Sequence, residues 1–192
     1  KDKICFGTSG GSTGKITSQH GLLYKYLEDS NGINFAKKYY EANEEAKENI
    51  SKIIEKEKIE CDFERKNAYV FTEIEDEVLK IKEEIETSKK LGANAEFVTE
   101  IDLPIDILGA IKFENQAEFD PVKYCYGLSK IIIKNGGEIY ENSKVIETVE
   151  DDGSTRMVNK GDDIYSKHFD TSNALIVEMS ADNINIEADI EY

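Results

Sequence analysis

The chain has 192 residues, 40 of them acidic and 24 basic, for a formal charge of −16, and it is long enough for one large domain or two small ones. That charge argues against a nucleic-acid binder, whose surface must offer lysine and arginine to phosphates; the pairs Lys37-Lys38 and Lys89-Lys90 read as solvated helix faces. No apolar run reaches the length of a membrane span, and Cys5, Cys61 and Cys125 form neither a metal-ligand spacing nor a secreted disulfide framework. A cytoplasmic protein with reduced thiols and no metal is the expectation.

In chain order, a short stub leads into a Gly/Ser/Thr loop, CFGTSGGSTGKITSQHG, Cys5 to Gly21. Leu22, Leu23, Tyr26 and Leu27 suit a short helix that stops near Asn31-Gly32. From Asn34, a plausible N-cap, the series Phe35, Tyr39, Ala42, Ala46, Ile50, Ile53, Ile54 steps by three and four and predicts a long amphipathic helix. Asp62 to Thr72 is β-branched and aromatic enough for a strand. A helix over 75–91 follows, carried by Val78, Ile81, Ile85 and Leu91 and stopped by Gly92. AEFVTEI and Ala110 to Phe119 read as strands. Asp120-Pro121 opens a helix that buries Tyr124, Leu128, Ile131 and Ile132 and ends at Gly136-Gly137. The remainder reads as strands and turns, with Asp152-Gly153 a hairpin signal, and a weakly patterned acidic tail. The fold class expected is α+β, with a mixed, largely antiparallel sheet.

The glycine loop fits neither common phosphate motif. A nucleoside-triphosphate loop needs glycine five positions before Gly14 and a hydroxyl after Lys15, where Ser9 and Ile16 stand. The dinucleotide fingerprint fails because Ser9 occupies its first glycine position. What survives is simpler: small residues let amides and hydroxyls approach an anion, and Lys15 adds a positive charge. If the next helix began near Ser18, its amides would help too. An ordinary surface loop with a solvated lysine is the competing reading.

Three segments together resemble the FAD-dependent oxidoreductases of the D-amino-acid oxidase and glycine oxidase type. They are GTSGGSTGKITSQHG, the stretch from Gly109 through the Asp-Pro helix to Asp151, and KGDDIYSKHFDTSNALIV with Thr171-Ser172-Asn173-Ala174 at a family turn. The resemblance spans most of Gly7 to Val177. It implies a central portion of such an enzyme: the family's opening glycine fingerprint would lie before Lys1 and its final third after Tyr192. Residues 1–33 and 137–180 would form part of an FAD-binding, Rossmann-like domain, 34–136 a substrate-binding domain, and 181–192 a tail.

The resemblance further implies an FAD pyrophosphate along the loop. Thr8, Ser9, Thr13, Gly14, Lys15 and Ile16 would be cofactor contacts, with Lys15 the cation nearest the flavin and the backbone at Val145 meeting the adenine. Gln19 and His20 would face the substrate, an amine or amino acid; capping or packing in the following helix is the plainer role for His20. The tyrosines Tyr39, Tyr40, Tyr124 and Tyr126 sit at helical spacings that suit a core, His168 has no partner visible in the sequence, and no catalytic residue stands out. A fragment with an exposed half-core would also self-associate. A non-catalytic anion-binding or interaction module is the alternative from a different class.

Overall fold

A computed structural model describes residues 3–142 in full and, beyond them, the backbone of three strands. Two compact units result, residues 1–141 and a second from Asn142 onward. In the first, β1 (Lys15–Ile16), α1 (Leu23–Asn31), α2 (Ile33–Glu57), β2 (Glu64–Thr72), α3 (Glu75–Leu91), β3 (Ala95–Val98), β4 (Gly109–Glu118) and α4 (Pro121–Lys134) follow in order. In the second, β5 (Val145–Asp151), β6 (Ser154–Asn159) and β7 (Asp163–Ser166) form an antiparallel meander. The α+β expectation holds, and every described strand pair is antiparallel. Residues 1–33 pack in the same unit as 34–136.

Strand β4 is the axis of the first unit. One edge carries β2, from Thr72 opposite Gly109 to Glu64 opposite Glu118. The other is shared: β3 takes Ala110 to Phe113, and β1 takes Ala117 and Glu118. Its inward residues Ile111 and Phe113 join Tyr24, Leu27, Ala36, Ile81, Ile85, Leu91, Ala93 and Ala95 in the main core. A second cluster, Ile54, Ile59 and Cys61, is covered by Tyr124, Leu128 and Ile131 of α4.

Several expectations need correction. The stretch after the glycine loop is not helical at Ser18; the chain runs extended as β1, and α1 starts only at Leu23. Asn34 does not cap α2 but lies inside its first turn, and Gly32, at φ 86°, holds the cap position without a side-chain bond. The inward stripe of α2 is 36, 40, 43, 47, 50 and 54, with Phe35 and Ile53 exposed. It is turned by one residue, about 100° of helix, because Lys47 finds partners inside. Ile132 of α4 is 47 % exposed; it sits one position beyond the 124/128/131 face that meets the core. Tyr126 is also exposed.

Asp120 caps α4 as its sequence context indicates, one carboxylate oxygen accepting from the amides of Val122 (2.9 Å) and Lys123 (3.0 Å). Asp120→Ala is expected to cost about 1 kcal/mol in chemical denaturation, with Asp120→Asn close to wild type. In the second unit Asp151 pairs with Ser154, leaving Asp152 and Gly153 between the strands. Those two residues, His168, Thr171 to Ala174 and the 181–192 tail lie outside the described residues.

Candidate functional site

The glycine loop is anchored to the end of β4 at two points. At the first, the amide of Phe119 donates to the carbonyl of Gly14 at 2.9 Å, continuing the β1–β4 ladder. Gly14 has φ +70°, and a Cβ there would stand 2.2 Å from the carbonyl oxygen of Phe119. Only glycine permits that approach. At the second, the amide and hydroxyl of Ser18 donate to Gln116 Oε1 at 2.8 and 3.3 Å. The carbonyl of Ser18 accepts from the hydroxyl of Tyr24, so both of its backbone groups are held by side chains.

Between the anchors, side chains alternate as a strand requires: Lys15 outward, Ile16 buried. Opposite Lys15 stands Glu118, whose carboxylate is paired with Lys66 at 2.6 Å. Lys15 makes no ion pair with any described residue. Before Gly14, Thr8, Ser9 and Thr13 are exposed, while the amides of Gly11 and Ser12 close turns on the carbonyls of Gly7, Thr8 and Ser9. The anchored segment therefore presents the Lys15 ammonium group to solvent, and the turns just upstream of it present the hydroxyls of Thr8, Ser9 and Thr13. Val145 opens β5 of the second unit, opposite Asn159.

After Ser18 the chain turns. Thr17 Oγ1 accepts from the amide of Gln19 at 2.9 Å. Gln19 is 6 % exposed, and its side-chain nitrogen is buried without a hydrogen-bond partner among the described residues. An orphaned donor of this kind costs about 1–3 kcal/mol. His20 is exposed, and its Nδ1 is hydrogen-bonded to the Tyr39 hydroxyl at 3.2 Å, with the two rings edge to face. Beneath them Tyr24 stacks on Phe113 and meets Tyr39 and Tyr40 edge-on. Burial pushes the Tyr40 hydroxyl up to about 12 and Tyr24 higher still, so both remain neutral donors. Tyr39, Tyr40 and Tyr124 are half-buried, as their spacing suggested.

Two polar side chains position this region from elsewhere in the chain. Glu84 of α3, fully buried, accepts from the amides of Tyr24 (2.8 Å) and Lys25 (2.7 Å) and so caps α1 from outside its own sequence. Gln116 is the other. The signal available for Glu84 is its helical spacing, three residues after Ile81 and on the same buried stripe as Ser88 and Leu91.

A family model described as FAD dependent oxidoreductase, DAO, matches residues 1–177. The chain belongs to this family. A Bacillus subtilis (strain 168) protein named as a Rieske 2Fe-2S iron-sulfur protein, YhfW, is 33 % identical over 146 residues, 76 % of this chain and 29 % of that one. Glycine oxidase from Bacillus cereus ATCC 14579 has a similar fold, with TM-score 0.63 and 17 % identity over 86 % of this chain and 44 % of its own. L-amino acid deaminase from Proteus vulgaris superposes with TM-score 0.64 and 16 % identity, over 86 % and 38 %. The chain thus spans less than half the length of these relatives.

The DAO family's cofactor is FAD, and the residues present suit it. Exposed threonine and serine hydroxyls and a lysine ammonium are the donors a diphosphate needs, and the Cβ-free approach at Gly14 lets the backbone come close.

Proposed function

We propose that this chain forms one wall of the cofactor and substrate site of an FAD-dependent enzyme that oxidises an amine or an amino acid. The observation that carries this reading is the doubly anchored segment Gly14–Ser18, which turns outward a lysine that makes no ion pair among the described residues, next to the exposed hydroxyls of Thr8, Ser9 and Thr13 in a DAO-family domain. The names of glycine oxidase and L-amino acid deaminase, borne by folds like this one, support the substrate class.

FAD, when bound, would supply the electron acceptor for oxidation of the amine-bearing carbon. The chain's own residues bind and orient. Thr8, Ser9 and Thr13 donate to phosphate oxygens, Gly14 and Ile16 hold the backbone close to β4, and Lys15 contributes positive charge towards the cofactor. Gln19 and His20 lie past the second anchor and face the substrate side, where Tyr39 fixes the imidazole.

Titration calorimetry tests this with FAD, with inorganic phosphate and pyrophosphate, on this chain and on a longer gene product that carries it. Saturable FAD binding is expected, with Lys15→Met weakening it about tenfold, the loss of one charge-assisted contact. Binding of the simple anions with indifference to FAD would favour the anion-binding module instead.

A further inference from the structure

Strand β4 changes face part-way along. Ile111 and Phe113 point into the core, and simple alternation would send Asn115 after them and Gln116 away. The reverse occurs: Asn115 is exposed at φ +56°, and Gln116 is 3 % exposed. The register explains it. Lys66 pairs with Gln116 and Ala68 with Phe113, so Glu114 and Asn115 together oppose Asn67, a β-bulge. The bulge falls between the segments of β4 that pair with β3 and with β1.

The bulge is held from within the sheet, where Arg65 Nη1 of β2 donates to the Asn115 carbonyl at 3.4 Å, and from outside it. Lys47 of α2, with its side chain 2 % exposed, donates to the carbonyl of Asn115 at 2.8 Å and to both oxygens of Glu44 at 2.9 and 3.0 Å. Gln116 is oriented at both ends of its amide: Nε2 donates to the Glu114 carbonyl at 2.9 Å, which leaves Oε1 to receive Ser18. A flipped amide would set two donors against each other.

We propose that Gln116 is a positioning residue for the Ser18–Gln19–His20 segment, and that the Asn115 bulge, stapled by Lys47, is the device that aims it. The link to the flavin site rests on the function proposed above; the link to Ser18 does not. A bulge beside a site re-aims one side chain without disturbing the strand on either side of it. Here it converts a sheet position into the second anchor of the loop.

Two measurements test this. In hydrogen exchange on this chain, the Ser18 amide is expected to exchange about a hundredfold faster in Gln116→Leu and in Lys47→Met, while the amides of Ile81 and Ile85 in α3 keep their protection. In the FAD-loaded protein, the same two variants are expected to shift the visible flavin band and to weaken FAD about tenfold. Unchanged Ser18 exchange in Gln116→Leu overturns the proposal. So does a lower melting temperature with an unaltered flavin band and FAD affinity, which would make Gln116 structural only. A wild-type protein that takes up no FAD removes the flavin reading, and the exchange measurement alone then decides whether Gln116 aims Ser18.

Discussion

Replacing Glu84 with alanine is expected to lower the unfolding free energy by about 3 kcal/mol or more, the largest effect of any single polar truncation in the first unit. The carboxylate lies fully buried on α3 and accepts from the first amides of α1, Tyr24 and Lys25 among them. No side chain at the start of α1 does this locally, since Leu22 occupies the cap position. Alanine would leave buried donors with neither a partner nor water. Glu84→Gln keeps one acceptor oxygen and is expected to lose less than half as much, by about 1 kcal/mol.

The pH dependence has a definite sign. Burial raises the Glu84 carboxyl above the usual glutamate value, against the opposing pull of the amides of Lys25, Tyr24 and Leu23. The folded state then binds its proton more readily than the unfolded state does. Stability contributed at this site is therefore full below the unfolded value, about 4.3, and declines as pH rises towards the raised folded value. Wild type minus Glu84→Gln, followed by urea denaturation across that window, should fall with increasing pH; a rising difference would contradict the assignment.

Gly14→Ala is expected to cost about 2–4 kcal/mol and, in the FAD-loaded protein, to release most of the cofactor. Two penalties combine. A left-handed backbone at φ +70° is unfavourable for alanine, and its Cβ would overlap the Phe119 carbonyl at 2.2 Å, a backbone atom that cannot step aside. Relief requires β1 to leave β4, which takes Lys15 and Ile16 with it. Thermal unfolding measures the first effect and flavin fluorescence of the filtrate the second. Gly21, also at positive φ but with open space where a Cβ would stand, is the control: Gly21→Ala should show the conformational penalty alone, about 1 kcal/mol.

Much of this fold is legible from the residues. The boundaries of α3, the Asp120-Pro121 start of α4 and the extent of β4 follow from caps, stops and β-branched runs, all of which act locally. What escapes a local reading depends on partners distant in sequence. The stripe of α2 departs from its apolar pattern because a lysine at position 47 reads as a wet residue; the carboxylate of Glu44 and the carbonyl of Asn115, 68 residues away, make it an inward one. Glu84 is hidden for the same reason, its bond crossing 60 residues; Gln116 reads as a core or sheet-edge residue in the sequence, but its bond to Ser18 across 98 residues does not show there. At the site, the small residues around Gly14 announce a close backbone approach. They do not announce that the approach is to Phe119, nor that β1 replaces a helix N-terminus at that point.

The two attachments to β4 divide the glycine-rich segment into zones with different tolerance for change. Between Gly7 and Gly14 the described hydrogen bonds are short turns, with the Ile4 amide held further upstream by Glu141 Oε1 at 3.1 Å, so residues added or deleted between these points alter the reach of the loop while leaving the attachments to β4 alone. Between Gly14 and Ser18 the count is rigid: one more residue would send Ile16 into water and Lys15 into the protein, or else tear Ser18 from Gln116. Variation in loop length among proteins built on this plan should therefore collect on the upstream side, where a differently sized ligand can be met without moving the strand that carries it.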